Sequence, residues 1–363
     1  MKIGIVTHWT SHDNFGQQLQ LFALHEKLKQ LGHNPFLIRY DRTRDATGKC
    51  NWLKIFNPIA VFKKIKRILN HKKNQKNIET QPSRHFDEFR KNYINESELI
   101  YSKEGLQTHP VEADAYCTGS DQVWLSCNPI EFLDFGKPET FRFSYAASFG
   151  LSSFSKKEMQ IKADYIKKLD AVSVREQEGL ALCHQMGRHD AVCVLDPTML
   201  HNFAFYCSKF KLEKKTPAKK YCVLYLLADV KGITVDEIYD FAQLHEMEVK
   251  YVDTHGQNND YPKIYPTTEE WLELILNAEF VITNSFHCGV FSVLLHKNFC
   301  CIPKGFSDER LTTLLGRVGL VGNIFHDNME ECLNRQIDYV EVERQLDIQR
   351  EESIQWLRNT LNC

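Results

Sequence analysis

The sequence has no long hydrophobic run, no strong charge of either sign and no paired-cysteine motif, and each absence removes a class of protein. Across 363 residues, 45 Lys and Arg stand against 47 Asp and Glu, a formal net charge of −2. That balance does not provide the basic surface of a nucleic-acid binder, and no nucleic-acid partner is expected. No stretch of 18 apolar residues occurs, and residues 1–6 give way at once to polar Thr7, His8 and Trp9. This is too short for a secretory core, so the chain is expected to work in the cytoplasm. Internal repeats and low-complexity tracts are also missing. Twelve cysteines are present, but most sit singly in apolar segments, as Cys117, Cys193 and Cys222 do. None forms a Cys-x-x-Cys pair, and the neighbours Cys300 and Cys301 lack further ligands at zinc spacing. The cysteines therefore read as reduced core residues, and no metal site is expected.

What is present is apolar material for two cores: 43% of residues are hydrophobic and 12% aromatic, and this length ordinarily divides into two domains. Strand and helix signals alternate from the first residue, which predicts parallel sheets covered on both faces. Residues 3–6 read as a strand. After the turn Asn14-Phe15-Gly16, leucines 21, 24, 28 and 31 recur at helical spacing until Gly32. Strands are expected at 36–38, 113–118, 141–146, 171–174 and 192–195, the last three closing on Ser148, Arg175 and Asp196. A charged stretch, Lys211-Leu212-Glu213-Lys214-Lys215-Thr216-Pro217, breaks the periodicity. Strands follow at 221–227, 249–252, 280–282 and 300–302. Thr267 and Glu270 have capping-box spacing ahead of Trp271. The expected organisation is an N-terminal Rossmann-like domain over 1–205, a linker over 206–220, a second such domain over 221–335 and a helical segment over 336–363.

Two strand-end loops concentrate chemistry. One is Gly119-Ser120-Asp121-Gln122-Val123-Trp124. The other is Thr283-Asn284-Ser285-Phe286-His287-Cys288-Gly289, where a helix is expected to begin at the histidine. In open α/β sheets ligands bind at the carboxyl ends of strands, and a helix start favours an anion. An imidazole there is placed to move protons. The plain alternative is that His287 merely starts a helix and Gly289 is a packing glycine.

Five segments in order carry a resemblance. Asn14-Phe15-Gly16 with Leu19, Ala23 and Leu24, the Gly119 to Trp124 loop, Ser144-Tyr145-Ala146-Ala147-Ser148-Phe149-Gly150, Val174-Arg175-Glu176 and Thr283-Asn284-Ser285-Phe286-His287 resemble the polysaccharide pyruvyl transferase family over most of the chain. The resemblance implies two Rossmann-like domains facing a cleft in a GT-B-type arrangement. It also implies transfer of a carboxyvinyl-derived group from phosphoenolpyruvate to saccharide hydroxyls, commonly as a pyruvate ketal, with phosphoenolpyruvate as donor substrate and no cofactor. Many members carry Arg-Leu-His where this chain has Ser285-Phe286-His287, and glycine often stands where Cys288 does.

On this footing His287 is expected to deliver the proton, and Asp121 to act as acceptor-side base, as partner of a sugar hydroxyl or simply as a helix cap. Arg175 is expected to bind the donor with Ser285, Phe286, Cys288 and Gly289; its alternative is a surface ion pair with Glu176 or Glu178. Arg310 or Lys304 would replace the triplet arginine. Asn14, Gly16, Gln17, Gly119, Ser120 and Ser148 would line the acceptor half. Two other readings suit the same pattern, a nucleotide-sugar-dependent glycosyltransferase and a non-catalytic saccharide-binding protein. Finally, Asn57 and Pro58 predict a helix start. Val61, Phe62, Ile65, Ile68 and Leu69 then share one face, with Lys63, Lys64 and Arg67 opposite. Such a helix either covers the first domain or lies weakly on an anionic membrane, where a lipid-linked oligosaccharide acceptor would be met at the inner face.

Overall fold

Both halves of the chain fold as the alternating pattern predicts, each around its own parallel sheet. A computed structural model describes residues 1–47, 82–227, 230, 232–254, 259–303 and 309–362. The basic segment at 58–70 and Lys304 lie outside the described residues.

The first sheet comprises β1 (Lys2–Val6), β2 (Asn34–Leu37), β3 (Ala115–Thr118), β4 (Phe141–Ala147), β5 (Ala171–Val174) and β6 (Val192–Cys193), in the order β2-β1-β3-β4-β5-β6. The second comprises β7 (Tyr221–Tyr225), β8 (Glu248–Val252), β9 (Phe280–Thr283) and β10 (Phe299–Cys301), in the order β10-β9-β7-β8. All named pairings are parallel. In each sheet the order reverses beside the first strand, between β1 and β3 and between β7 and β9. Crossover connections leave opposite faces at such points and open a crevice at the strand ends. Both segments singled out from the sequence follow strands at these crevices, Gly119 to Trp124 after β3 and His287 after β9.

Local signals explain the helices that matter. The helix Phe15–Gln30 ends where Gly32 takes a φ of 85°, open to glycine without a Cβ clash. It is buried on nearly every side, so its leucines alone do not define its face. The helix Thr268–Asn277 carries the predicted capping box, with Thr267 Oγ1 accepting from the Glu270 amide and the Glu270 side chain accepting from the Thr267 amide. A helix over Phe203–Phe210 takes up the start of the stretch read as a linker, and the irregular connection runs from there to β7.

The domains are joined through aromatic packing and a crossing helix. Phe15, at the start of the first helix, stacks on Trp271 of the second domain at 4.9 Å, and the Tyr225 hydroxyl donates to the Asp13 carbonyl at 2.9 Å. The last helix, Tyr339–Leu361, begins on the second domain, where the Tyr339 hydroxyl donates to the Lys297 carbonyl and Glu343 meets His296 at 2.9 Å. It ends on the first, where the Leu195 amide donates to Ser353 Oγ at 3.0 Å and Arg350 Nε donates to the Met199 carbonyl at 2.8 Å. The two strand-end crevices therefore face each other. No helix among the described residues is long and apolar enough to cross a membrane. Among these residues no His, Cys, Asp and Glu group has metal-site geometry, and the cysteines are free thiols.

Candidate active site

Two helix starts, one from each domain, meet at the centre of the cleft. Ser285 caps the helix Phe286–Leu294, its Oγ accepting from the Cys288 amide at 3.4 Å, which sets His287 in the first turn. Opposite lies Gly16, in the first turn of the helix Phe15–Gln30. A Cβ added at Gly16 would stand 2.1 Å from His287 Nδ1 and 2.5 Å from Cγ. Only glycine leaves room for the imidazole, so one sequence element admits the other across the interface.

His287 is buried, with 7% of its surface exposed. Nε2 lies 3.6 Å from Asp196 Oδ2 and has no hydrogen-bond partner among the described residues. Asp196 is the hub. Its Oδ1 accepts from the Thr198 amide at 3.0 Å and hydroxyl at 2.6 Å, and its Oδ2 accepts from Ser120 Oγ at 3.0 Å and Arg175 Nη1 at 2.8 Å. Burial pushes its pKa upward, but His287, Arg175 and Thr198 together hold it far below the ordinary carboxylate range. Asp196 is thus held as an anion, hydrogen-bonded to Arg175 and 3.6 Å from His287. As a carboxylate accepting four hydrogen bonds it is a poor base.

Arg175 is not on the surface. Only 4% exposed, it stacks its guanidinium over the Phe286 ring at 4.6 Å, the ring supplied by the other domain. Nη1 is committed to Asp196, while Nε and Nη2 are buried without a hydrogen-bond partner among the described residues. Glu176 Oε2 approaches Nε only to 3.7 Å. A buried guanidinium edge with two unused donors matches the two oxygens of a carboxylate or phosphate. Arg175, Asp196, Phe286 and Arg317 line one narrow cavity.

A second charged group sits at the end of β1. His8 Nδ1 lies 3.5 Å from Asp121 Oδ2, and Nε2 lies 3.0 Å from Glu131 Oε1. Burial disfavours its charge, yet hydrogen bonds to the two carboxylates prevail and raise its pKa to about 9. Arg42 Nη1 also stands 3.0 Å from Nε2, but a protonated imidazole donates to the carboxylate, and Arg42 then pairs with the same Oε1 at 3.1 Å. Asp121, at a left-handed φ of 69°, is held ionised well below its usual range despite burial, chiefly by His8. No helix follows it; Oδ1 accepts from the adjacent Gln122 amide at 2.8 Å.

The remaining sequence candidates fall into distinct places. Ser120 belongs to the Asp196 group. Gly119 occupies a φ of 112°, where a Cβ would stand 2.2 Å from the Tyr145 carbonyl oxygen. Ser148 Oγ donates to Glu176 Oε1 at 2.6 Å and is buried there. Gln17 Oε1 accepts from the Ser11 amide at 3.3 Å, and Asn14 Oδ1 is buried without a partner among the described residues. Cys288 and Gly289 are packed into the second domain, Gly289 against Cys301 and Leu311. Arg310 lies at the start of the helix Glu309–Arg317. Sequence reasoning did not single out His8, Asp196 or Arg317. The signal for the first two was available, since each ends a strand at the cleft side. An open groove of about 640 Å³ beside Tyr221, Tyr265 and Leu274 is lined by none of these groups.

Comparison with solved structures supports the architecture. UDP-GlcNAc 2-epimerase from Methanocaldococcus jannaschii superposes with a TM-score of 0.51 at 13% identity, covering 96% of this chain and 99% of that one. S. aureus MnaA, solved with UDP, gives 0.53 at 9% identity, covering 99% and 97%. UDP-GlcNAc 2-epimerase from Neisseria meningitidis gives 0.50 at 8% identity, covering 99% of each. At such identities the likeness fixes the fold alone, two parallel-sheet α/β domains in the GT-B arrangement. No curated protein matches the chain in sequence. The polysaccharide pyruvyl transferase family model matches residues 14–303, a span holding Gly16, Asp121, Arg175, Asp196 and His287 alike, and the chain belongs to that family of transferases.

Proposed function

We propose that this protein transfers the carboxyvinyl-derived group of phosphoenolpyruvate to hydroxyls of a saccharide, closing a pyruvate ketal. The observation that carries the reading is one buried place with three donor atoms that lack a hydrogen-bond partner among the described residues, Nε and Nη2 of Arg175 and Nε2 of His287, with Glu176 Oε2, likewise unpartnered, 3.7 Å from Nε. A ligand with adjacent anions and a carbon needing a proton satisfies all three.

In the chemistry, the methylene carbon takes a proton and the neighbouring carbon becomes electrophilic. A saccharide hydroxyl adds to that carbon and gives up its proton. The bond to the phosphate oxygen then breaks, the electron pair leaving with phosphate. A second hydroxyl adds to the same carbon and loses its proton, which closes the ketal. Carbon has gained one proton and the hydroxyls have lost two, the difference leaving on phosphate. His287 Nε2 supplies the proton to carbon, and Asp196 stabilises the imidazolium that does so. Arg175 holds one donor anion. Asp121, anionic and weakly basic beside His8, accepts a hydrogen bond from a sugar hydroxyl.

The test is calorimetric titration with phosphoenolpyruvate, a UDP-sugar and bare glycans, followed by mass spectrometry of a glycan pool incubated with phosphoenolpyruvate. Binding of phosphoenolpyruvate is expected, with glycans gaining the mass of a pyruvate ketal. His287→Ala should lower turnover on the order of 10²–10⁴-fold while donor binding survives. Binding of the UDP-sugar but not of phosphoenolpyruvate would replace this reading with a glycosyltransferase. Binding of glycans alone would leave a saccharide-binding protein.

A further inference from the structure

Arg175 satisfies one anion, and the donor proposed above carries two. The cavity that Arg175 lines, about 10 Å³, is also lined by Thr313, Leu314 and Arg317 of the helix Glu309–Arg317, so a donor that reaches both arginines must widen it. Thr313 is neutral and Leu314 apolar, so the positive charge on that wall is Arg317. Its Nη2 meets Cys193 Sγ at 2.8 Å. A thiol sulfur is a weak acceptor, so a guanidinium turned toward one has not found an anion.

The position of Arg317 is built. The Gln349 side chain of the terminal helix donates to the Arg317 carbonyl at 3.3 Å, and Cys193 belongs to edge strand β6. The terminal helix and β6 thus converge on the end of the helix Glu309–Arg317. Arg317 and Leu195 also line a second, more open cleft of about 390 Å³ that includes Gln177, Glu352 and Trp356. Arg317 therefore stands on the wall between the buried cavity and the open cleft.

Resting on the donor reading above, we propose that Arg317 is a second anion-binding residue, which holds one of the donor's two anions while Arg175 holds the other. Arg175 belongs to the first domain and Arg317 to the second, so a dianionic donor bridges the domains where a single anion engages only one arginine. The site selects three-carbon enol phosphates over pyruvate or inorganic phosphate through this double engagement. Lysine at 317 keeps the charge but loses the planar fork, so it restores binding in part.

The experiment is calorimetric titration of wild type, Arg317→Ala and Arg317→Lys with phosphoenolpyruvate, pyruvate and inorganic phosphate, thermal melts confirming that each variant folds. Arg317→Ala should weaken phosphoenolpyruvate binding on the order of 10–100-fold, with the lysine variant between the two. It should weaken one of the single-anion probes and spare the other. If wild type binds phosphoenolpyruvate and Arg317→Ala binds it equally well, the Arg317 assignment is wrong and the donor reading stands. Equal weakening of both single-anion probes also overturns the assignment, since it marks general damage to the cleft. If wild type fails to bind phosphoenolpyruvate, the donor reading falls and this inference falls with it.

Discussion

Gly16→Ala should be costly because of a residue in the other domain. A Cβ there would stand 2.1 Å from Nδ1, 2.5 Å from Cγ and 2.8 Å from Cβ of His287. Ordinary carbon contacts lie near ~3.5–4.0 Å, so the ring must retreat by more than ~1 Å. Overpacking of this kind costs about 1–3 kcal/mol, against a gain of roughly 0.5–1 kcal/mol from replacing a helical glycine. The variant should therefore lose stability in denaturant unfolding. In a His287→Ala background the two ring contacts vanish and only the 2.8 Å approach to Cβ remains. The same substitution should then cost less, giving a double-mutant coupling of about 1–2 kcal/mol. Turnover of Gly16→Ala should fall roughly 10²-fold, the penalty of misplacing a reacting group by about 1 Å. Additive stability effects would refute the argument, because they would mean that Gly16 and His287 do not share the space. So would full stability together with full activity.

The His8 group predicts a specific pH dependence. Its folded pKa of about 9 lies above the ordinary 6.5, so the stability it provides with Asp121 and Glu131 is complete below pH 6.5 and fades as pH rises through 9. On the order of 3 kcal/mol is involved at about 1.4 kcal/mol per pH unit, and urea unfolding of wild type and His8→Asn from pH 6 to 10 should show the two curves converging at the alkaline end. A constant difference across that range would place the histidine's contribution in packing. Arg350→Ala should destabilise by about 3–5 kcal/mol, because the buried guanidinium ties the terminal helix to the Met199 carbonyl at 2.8 Å and pairs with Glu343 at 2.8 Å. A loss below about 1 kcal/mol in the same assay would mean that the helix does not depend on this pairing to cross the domains.

Alternating strand and helix signals, the capping box at Thr267 and Glu270 and the glycine stop after the first helix were legible because they are local, depending on residues a few positions apart. They were enough to predict two parallel-sheet domains and to bring His287, Asp121 and Arg175 to strand ends. Five short segments in order were enough to indicate the family. What stayed hidden is pairwise and distant. That Asp196 joins Arg175, Ser120 and His287, that Gly16 makes room for an imidazole from the other domain, and that His8 holds Asp121 ionised are contacts between separate elements. No periodicity encodes which of two neighbouring strand ends carries the partner. Ser148 reads like Ser120 in the sequence, yet one turns to Glu176 and the other to Asp196. Ser148 after β4 meets Glu176 after the adjacent β5, whereas Ser120 after β3 meets Asp196 after β6, three strands away, so the path of the strand-end loops and not sheet order alone decided between them.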